Sequence, residues 1–441
     1  MERPPPFSGL TAGRHALRFG RDPLAFLDTL RTMDEDLVRA RFVVGPSLTF
    51  VNDPELVRHV LVDDYKRYGR PDVQSGRTTR LTENGLIESD GTLWSEQRER
   101  LQPLFSRDRI GAYADAIGEF TTDTIDSWHD GEQVDLYQEM TALTVRVIAK
   151  SLFSTDLDGS DTERFVRANA TIGEEFEISP TALFRQFLPT PPSSEYQQVV
   201  SEMHEWAEGI IDRHRRMDDP PNDLVTTMLE AQGRDDSDLP ETQVRDEVLT
   251  FLFAGHETTA LTLGFALWFT ARHPEVATRL RDEARDILDG DQPGFEHLAN
   301  LTYTERVVRE TLRLRPSSWG IFRQAKLASP LGGQRIERGD FLMCPQWTLH
   351  RDARYFDDPE TFDPDRWETL EPSRTPAYFP FGAGPHACIG GQLALTEAQL
   401  ALAALVSEFD FEVADGTAEN LRPAGVLQPR DGIPATVHKA R

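Results

Sequence analysis

The sequence predicts a mainly α chain with a minor β portion, and three observations carry that expectation. Helical periodicity dominates from Leu93 to Arg216 and returns in a long apolar run from about Glu241 to His273. β-rich runs are short and confined to residues 40–52 and the stretch after Arg323. No internal repeat or low-complexity block divides the chain, so residues 1–441 read as one domain, although length alone would allow two or three.

The elements follow in order. Residues 40–52, ARFVVGPSLTFVN, predict a hairpin of two β-rich runs around Gly45-Pro46. A helix starts at DPELVRHVLV, with Asp53 as its N-cap and Pro54 in its first turn. Residues 64–92 are rich in Gly, Asp, Thr and Arg and predict a long irregular loop, a feature that is usually functional or disordered in a compact domain. The helical series after Leu93 breaks at Pro189–Glu195 and ends at Met217–Asp223. The apolar helix from Glu241 stops at His273-Pro274. Gly255, His256, Glu257 and two threonines interrupt it, and the apolar run beyond them is too short to span a membrane. A helix apolar on nearly every face belongs in the core of a large protein. Short strands and turns follow Arg323, then a further helix after Cys388.

Composition narrows the function classes. Two cysteines in 441 residues exclude a disulfide framework and fit a reducing cytoplasm. The N-terminal MERPPPFSGLTAGRH has no apolar h-region, so neither a signal peptide nor a membrane anchor is expected. The net charge of −27 disfavours nucleic acid as a partner. The acidic residues are spread along the chain, and lysine occurs only at 66, 150, 326 and 439. An ordinary acidic cytoplasmic protein is one reading. The other is adaptation to molar salt, where a Debye length of about 3 Å screens acidic self-repulsion; in that respect the composition resembles proteins of halophilic archaea.

Several constellations bear chemistry. AGHETT, residues 254–259, places Glu257 and Thr258 inside the buried helix, which is costly unless they are paired or face a cavity. Thr258 can simply bond its own helix backbone, or the pair can hand protons to a small ligand in a locally opened groove. His256-Glu257 begins a zinc-protease signature, but Ala260 stands where a second histidine is required. RETLRLRP puts Glu310 and Arg313 at i, i+3, either as a surface pair or, beside Leu312 and Leu314, as a buried one. FDPDRW offers Arg366 in a Pro-rich segment, and WSEQR sets Trp94 and Arg98 one turn apart, able to present two donors to an anion. In FPFGAGPHACIG, residues 379–390, Cys388 lies among glycines with His386 two residues before it. A structural zinc needs four ligands, and the other cysteine, Cys344, has an isolated apolar context. A reactive nucleophile lacks a partner motif. A thiolate facing one large flat cofactor fits better, because glycines let the loop approach it and a helix beginning near Cys388 directs amide dipoles at the sulfur.

Together these residues resemble the cytochrome P450 family, the haem-thiolate monooxygenases. The loop pattern F-x-x-G-x-[RH]-x-C-x-G falls on Phe381, Gly384, His386, Cys388 and Gly390. The E-x-x-R motif falls on Glu310 and Arg313, F-x-P-x-R-W on Phe362 to Trp367, [AG]-G-x-[DE]-T-T on Ala254 to Thr259, and W-x-x-x-R on Trp94 and Arg98. The order is the family's and the motifs cover most of the chain; histidine at 386 stands where arginine is commoner.

The resemblance implies a triangular single domain with haem b between the long central helix and the cysteine loop. It implies Cys388 as the iron's thiolate ligand, and Trp94, Arg98, Arg323 and His386 as contacts to the propionates, the His386 contact being weaker or pH-dependent. Glu310, Arg313 and Arg366 would form a structural triad, and Glu257 and Thr258 would relay protons to dioxygen. The implied reaction inserts one oxygen atom into an apolar guest such as a fatty acid, terpenoid or other isoprenoid. Since no flavin or ferredoxin segment is evident, electrons would come from a separate ferredoxin and its ferredoxin reductase. The pocket is expected to draw on the 64–92 loop, Phe251, Phe253, Ala254, Trp319, Gly320, Ile321, Val426 and Leu427. A peroxide-using haem-thiolate enzyme and a non-catalytic haem or ligand-binding protein stay open; the intact Glu257–Thr258 pair argues against the first, and nothing speaks for the second.

Overall fold

The computed structural model describes residues 18–33, 35–40, 47–71, 80–177, 192–233 and 240–440. The helices with named bounds are α1 (Pro23–Arg31), α2 (Pro54–Arg58), α3 (Gly91–Leu101), α4 (Arg107–Ser127), α5 (Leu136–Phe153), α6 (Gly159–Glu175), α7 (Ser194–Arg215), α8 (Leu224–Gln232), α9 (Glu241–Arg272), α10 (Pro274–Leu288), α11 (Thr302–Leu314), α12 (Gln346–Leu349) and α13 (Gly391–Glu408). The strands are β1 (Leu37–Ala40), β2 (Leu48–Val51), β3 (Tyr68–Gly69), β4 (Glu132–Asp135), β5 (Ile321–Ala325), β6 (Ser329–Leu331), β7 (Gln334–Ile336), β8 (Phe341–Cys344), β9 (Phe409–Val413), β10 (Leu421–Pro423), β11 (Leu427–Pro429) and β12 (Pro434–Lys439).

The predicted fold class holds, with the central α9 in the main hydrophobic core. Ala260, Leu261, Leu263, Phe265, Ala266 and Leu267 are each fully buried, so consecutive residues on every face of α9 are covered. Packing therefore fixes its place, and its length follows from His273 and Pro274 at its end. Among the described residues no helix is long and apolar enough to cross a membrane. Asp53 caps α2 by accepting from Leu56 N at 2.9 Å, a bond of a kind worth ~1 kcal/mol. The chain then winds into a π-helical turn over His59–Asp63, which supplies the Leu61 carbonyl used below.

The sheets flank this helical body. One has the order β1-β2-β8-β5-β3, with β2 and β8 parallel and the other neighbours antiparallel. Another has the order β4-β12-β9, and β6-β7 and β10-β11 are two-stranded. The hairpin's second strand is where the sequence puts it, but the first lies at Leu37–Ala40, paired Leu37 to Val51 and Ala40 to Leu48. The intervening Gly45-Pro46 turn is outside the described residues, as are residues 72–79 of the expected loop and residues 189–191 of the Pro189–Glu195 break. That loop also contains β3, which pairs with β5. β4 lies inside the stretch where helical patterns dominate, and it is pairing with Pro434–Val437 that makes residues 132–135 a strand. β10 and β11 are three residues each, too short for an alternating pattern to be read locally, whereas β9 alternates apolar and polar residues over Phe409–Val413.

Candidate active site

The cysteine loop is tied back on itself. Cys388 N donates to Phe381 O at 2.8 Å and Ala387 N to Gly384 O at 3.0 Å. Gly384 has φ +71°, and a Cβ there would stand 2.2 Å from the Leu61 carbonyl oxygen, so only glycine lets the loop lie against the π-helical turn. Gly390 is the N-cap of α13, which places the Cys388 sulfur at a helix N-terminus. Burial pushes the thiol up, opposed by the Gly390 amide and by the Arg98 guanidinium. The surface Cys388 does expose faces a cavity of about 330 Å³. No cluster of three His, Cys, Asp or Glu suited to a metal ion occurs among the described residues, so His386 and Cys388 have no partners for a zinc site.

Cations gather at one side of that cavity. Arg70, Arg98, Arg323 and His386 all line it. Arg98 donates to Ala387 O at 2.8 Å and to Gln102 Oε1 at 2.9 Å; Arg323 donates to Phe322 O at 2.8 Å. Arg70 donates to Leu86 O at 2.9 Å and to Ile87 O, and its Nη2 lies 3.4 Å from His386 Nδ1. The Trp94 indole is tilted against the His386 ring with centroids 3.9 Å apart, and its buried Nε1, like Arg323 Nε, has no partner among the described residues. Burial, then the Arg323 charge, lowers Arg70 to about 10, and burial with Arg70 and Arg323 lowers His386 to about 3. His386 is thus a neutral ring near pH 7, and the positive charge there belongs to the arginines. Partnerless donors and crowded guanidiniums beside an apolar cavity fit a ligand that brings carboxylates. Together with the thiol at a helix N-terminus, the set fits a large flat group with acidic side arms. Arg70 was missed from sequence because it belongs to no motif; its position next to Pro71 in an irregular segment gave no sign of it.

The acid and alcohol of α9 point different ways. Thr258 lines the cavity, and its Oγ1 donates to Ala254 O at 3.0 Å. Glu257 does not line it; successive helix residues diverge by about 100°, which turns the carboxyl toward α5, α6 and β11. There Glu257 Oε1 accepts from Tyr137 OH at 3.4 Å and from Gln428 Nε2. Asn169 Nδ2 donates to the same Tyr137 oxygen at 3.0 Å. Among the described residues no cation joins this group, and burial pushes Glu257 up to about 7, with Gln428, Tyr137 and Asn169 pulling it down. His256 is buried, bonded to Leu252 O at 2.7 Å and lowered to about 4 by burial.

Of the residues expected in the pocket, Phe251, Ala254 and Ile321 line the cavity, together with Leu86, Ile87, Ile148 and Thr250. Phe253, Trp319, Gly320, Val426 and Leu427 do not. Trp319 is held in a separate core with Phe19, Phe26 and Leu427, its Nε1 donating to Ala424 O at 2.9 Å. Leu427 N is taken by Ser317 O at 2.9 Å, so the C-terminal turn faces that core. Phe253 and Val426 pack on the main core from the side, and Gly320 lies on Met343. The strand alternation after Pro316 sends Ile321 inward and its neighbours elsewhere.

Behind the loop, Glu310 and Arg313 are both 0% exposed and paired at 2.8 Å. Glu310 also accepts from Arg366 Nε at 2.9 Å, Asp363 N at 2.9 Å and Trp367 Nε1 at 3.0 Å. Arg313 goes on to the carbonyls of His350, Pro359 and Thr361. The surface-pair alternative is thereby excluded.

Residues 4–436 match the family described as Cytochrome P450. The chain is 35% identical to the Cyclooctat-9-en-7-ol 5-monooxygenase of Streptomyces melanosporofaciens, over 91% of this chain and 88% of that one. It is 32% identical to the Pentalenene oxygenase of Streptomyces avermitilis, over 94% and 93% of the two chains. It is 33% identical to the Cyclooctatin synthase of Streptomyces melanosporofaciens, over 94% and 91%.

Proposed function

Because the chain belongs to the cytochrome P450 family, and is by that membership a haem b monooxygenase acting with dioxygen on an apolar guest, we propose that its guest is a terpenoid. The observation that carries this reading is the cavity itself: Leu86, Ile87, Phe251, Ala254 and Ile148 wall one space with Cys388 and Thr258. Such a wall recognises hydrocarbon shape and offers few hydrogen bonds to a polar substrate. The relatives named for cyclooctatenol and pentalenene oxidation support the polycyclic class over a fatty acid.

The haem, when bound, supplies the oxygen activation and electron transfer. The rest falls to this chain's side chains. Cys388, in its glycine-hinged loop, is the thiolate ligand, and the Gly390 amide and Arg98 favour its charged form. Arg98, Arg323 and Arg70 take the two propionates, with Trp94 Nε1 as a neutral donor. His386, its ring tilted against Trp94 and its pKa lowered by burial and by the Arg70 and Arg323 charges, sits among these donors. Glu310, Arg313 and Arg366 hold the segments behind the loop. Thr258 Oγ1, already donating to Ala254 O, keeps lone pairs free to accept a proton-bearing water at the cavity wall. Glu257, raised to about 7 by burial, holds its proton among Tyr137, Asn169 and Gln428, on the helix face next to that of Thr258. A separate ferredoxin and its reductase supply the electrons, in the cytoplasm. Feeding purified protein, ferredoxin, reductase and NADH with polycyclic terpene hydrocarbons and with fatty acids tests the substrate class. Hydroxylated terpene at a product-to-NADH ratio near unity is expected; fatty-acid oxidation alone would overturn it.

A further inference from the structure

Residues 82–90 form part of the cavity wall through Leu86 and Ile87, and Ile87 is 49% exposed although it lies at this wall. The segment is a run of bends and turns, so its backbone must find hydrogen-bond partners elsewhere. It finds them on the second turn of α9. Asp246 Oδ2 accepts from Glu83 N at 3.0 Å and Asn84 N at 2.9 Å, and Glu247 Oε2 accepts from Leu86 N at 3.1 Å. Gln243 of α9 and Gln97 of α3 both donate to Asn84 O at 2.6 Å. Gly85 presses directly on α9: a Cβ there would stand 1.8 Å from Thr250 Oγ1. At the other end, Arg70 holds the carbonyls of Leu86 and Ile87, and Asp90 pairs with Lys326 at 2.7 Å.

Asp246 and Glu247 are 0% exposed, and Arg245 lies 3.4 Å from Asp246. Adjacent buried carboxyls are costly to retain, and burial raises Glu247 to about 8. What they hold is a wall of the guest cavity. We propose that Asp246 and Glu247 are positioning residues for guest selection: they fix how close the 82–90 strap lies to α9, and so how large a guest Leu86 and Ile87 admit. This rests on the cavity being the substrate site, but not on the guest being a terpenoid.

The test uses haem-loaded protein and two azoles that bind the iron whatever the natural substrate: imidazole, which needs little room, and clotrimazole, which needs the wall to yield. Glu247→Leu removes the acceptor for Leu86 N, and Gly85→Ala forces the strap off Thr250 without touching the acids. Either should shift the ratio of the two dissociation constants about tenfold in favour of clotrimazole. Glu247→Gln, whose amide oxygen still accepts, should keep the ratio within about threefold of wild type. Having two independent variants keeps the result decisive if one fails to fold. Equal weakening of both azoles, an unchanged ratio, a shift toward imidazole, or a Glu247→Gln ratio that moves as far as Glu247→Leu would overturn the proposal.

Discussion

The polar network around Glu310 and the polar groups around the cavity are both buried, yet they are built in opposite ways. Glu310 receives five hydrogen bonds from four groups, two of them guanidiniums, and Arg313 spends its remaining donors on three carbonyls. Around the cavity, the guanidiniums of Arg70, Arg98 and Arg323 crowd together, Trp94 Nε1 and both oxygens of the buried Glu397 have no partner among the described residues, and Glu257 is held by neutral donors. A satisfied network rigidifies and specifies; one left open keeps charge and proton affinity available for a ligand or a reaction.

The largest expected effect comes from breaking the closed network. Glu310→Ala leaves Arg313 and Arg366 buried without their carboxylate, a loss of roughly 3–5 kcal/mol. Folded, haem-loaded protein should fall sharply, as measured by haem content and melting temperature. A normal melting temperature would erase the contrast between the two regions. In the open region, Thr258→Ala should fold and bind haem normally, because among the described residues its side chain bonds only to its own helix. It should lose product while oxygen consumption continues as peroxide or water, since general acid assistance is worth roughly 10²–10⁴-fold in rate. A product-to-NADH ratio equal to wild type would make Thr258 a backbone-bonding residue only.

The smallest effect is a pH dependence. Glu257 binds its proton more tightly in the folded chain, about 7 against the usual 4.5. Its contribution to stability is therefore fully present below about 4.5 and is lost as pH rises through about 7. Glu257→Gln, which carries no titrating proton, should flatten that part of the melting curve against pH. Parallel curves for the two proteins would place the carboxyl outside the buried, neutral-donor environment described for it.

The sequence showed these regions unequally. Glu310, Arg313, Arg366 and the cysteine loop were legible because each is a short, local pattern whose residues end up together. The long α9 was legible from its apolar run and its His-Pro stop. Arg70, Tyr137, Asn169 and Gln428 were not, because each is an unremarkable polar residue brought in by a different element. The direction of Glu257 was also hidden: adjacency in sequence to Thr258 reads as partnership, whereas helix geometry sets the two on different faces. Trp319 and Leu427 were assigned to the pocket from their place after Pro316 and near the C-terminus, but pairing across the strands carries them into another core. Long-range register decides such positions, and short strands give little local sign of it.

The central claim is that Cys388, and not the fully buried Cys344, meets the haem iron as a thiolate. Burial pushes the Cys344 thiol up to about 12, which leaves it inert, while Cys388 lines the cavity at the start of α13. The carbon monoxide difference spectrum of the reduced protein reads this directly. Cys388→Ser should abolish the thiolate-type band while Cys344→Ser keeps it. A band that survives in Cys388→Ser, or that disappears only in Cys344→Ser, would contradict the account.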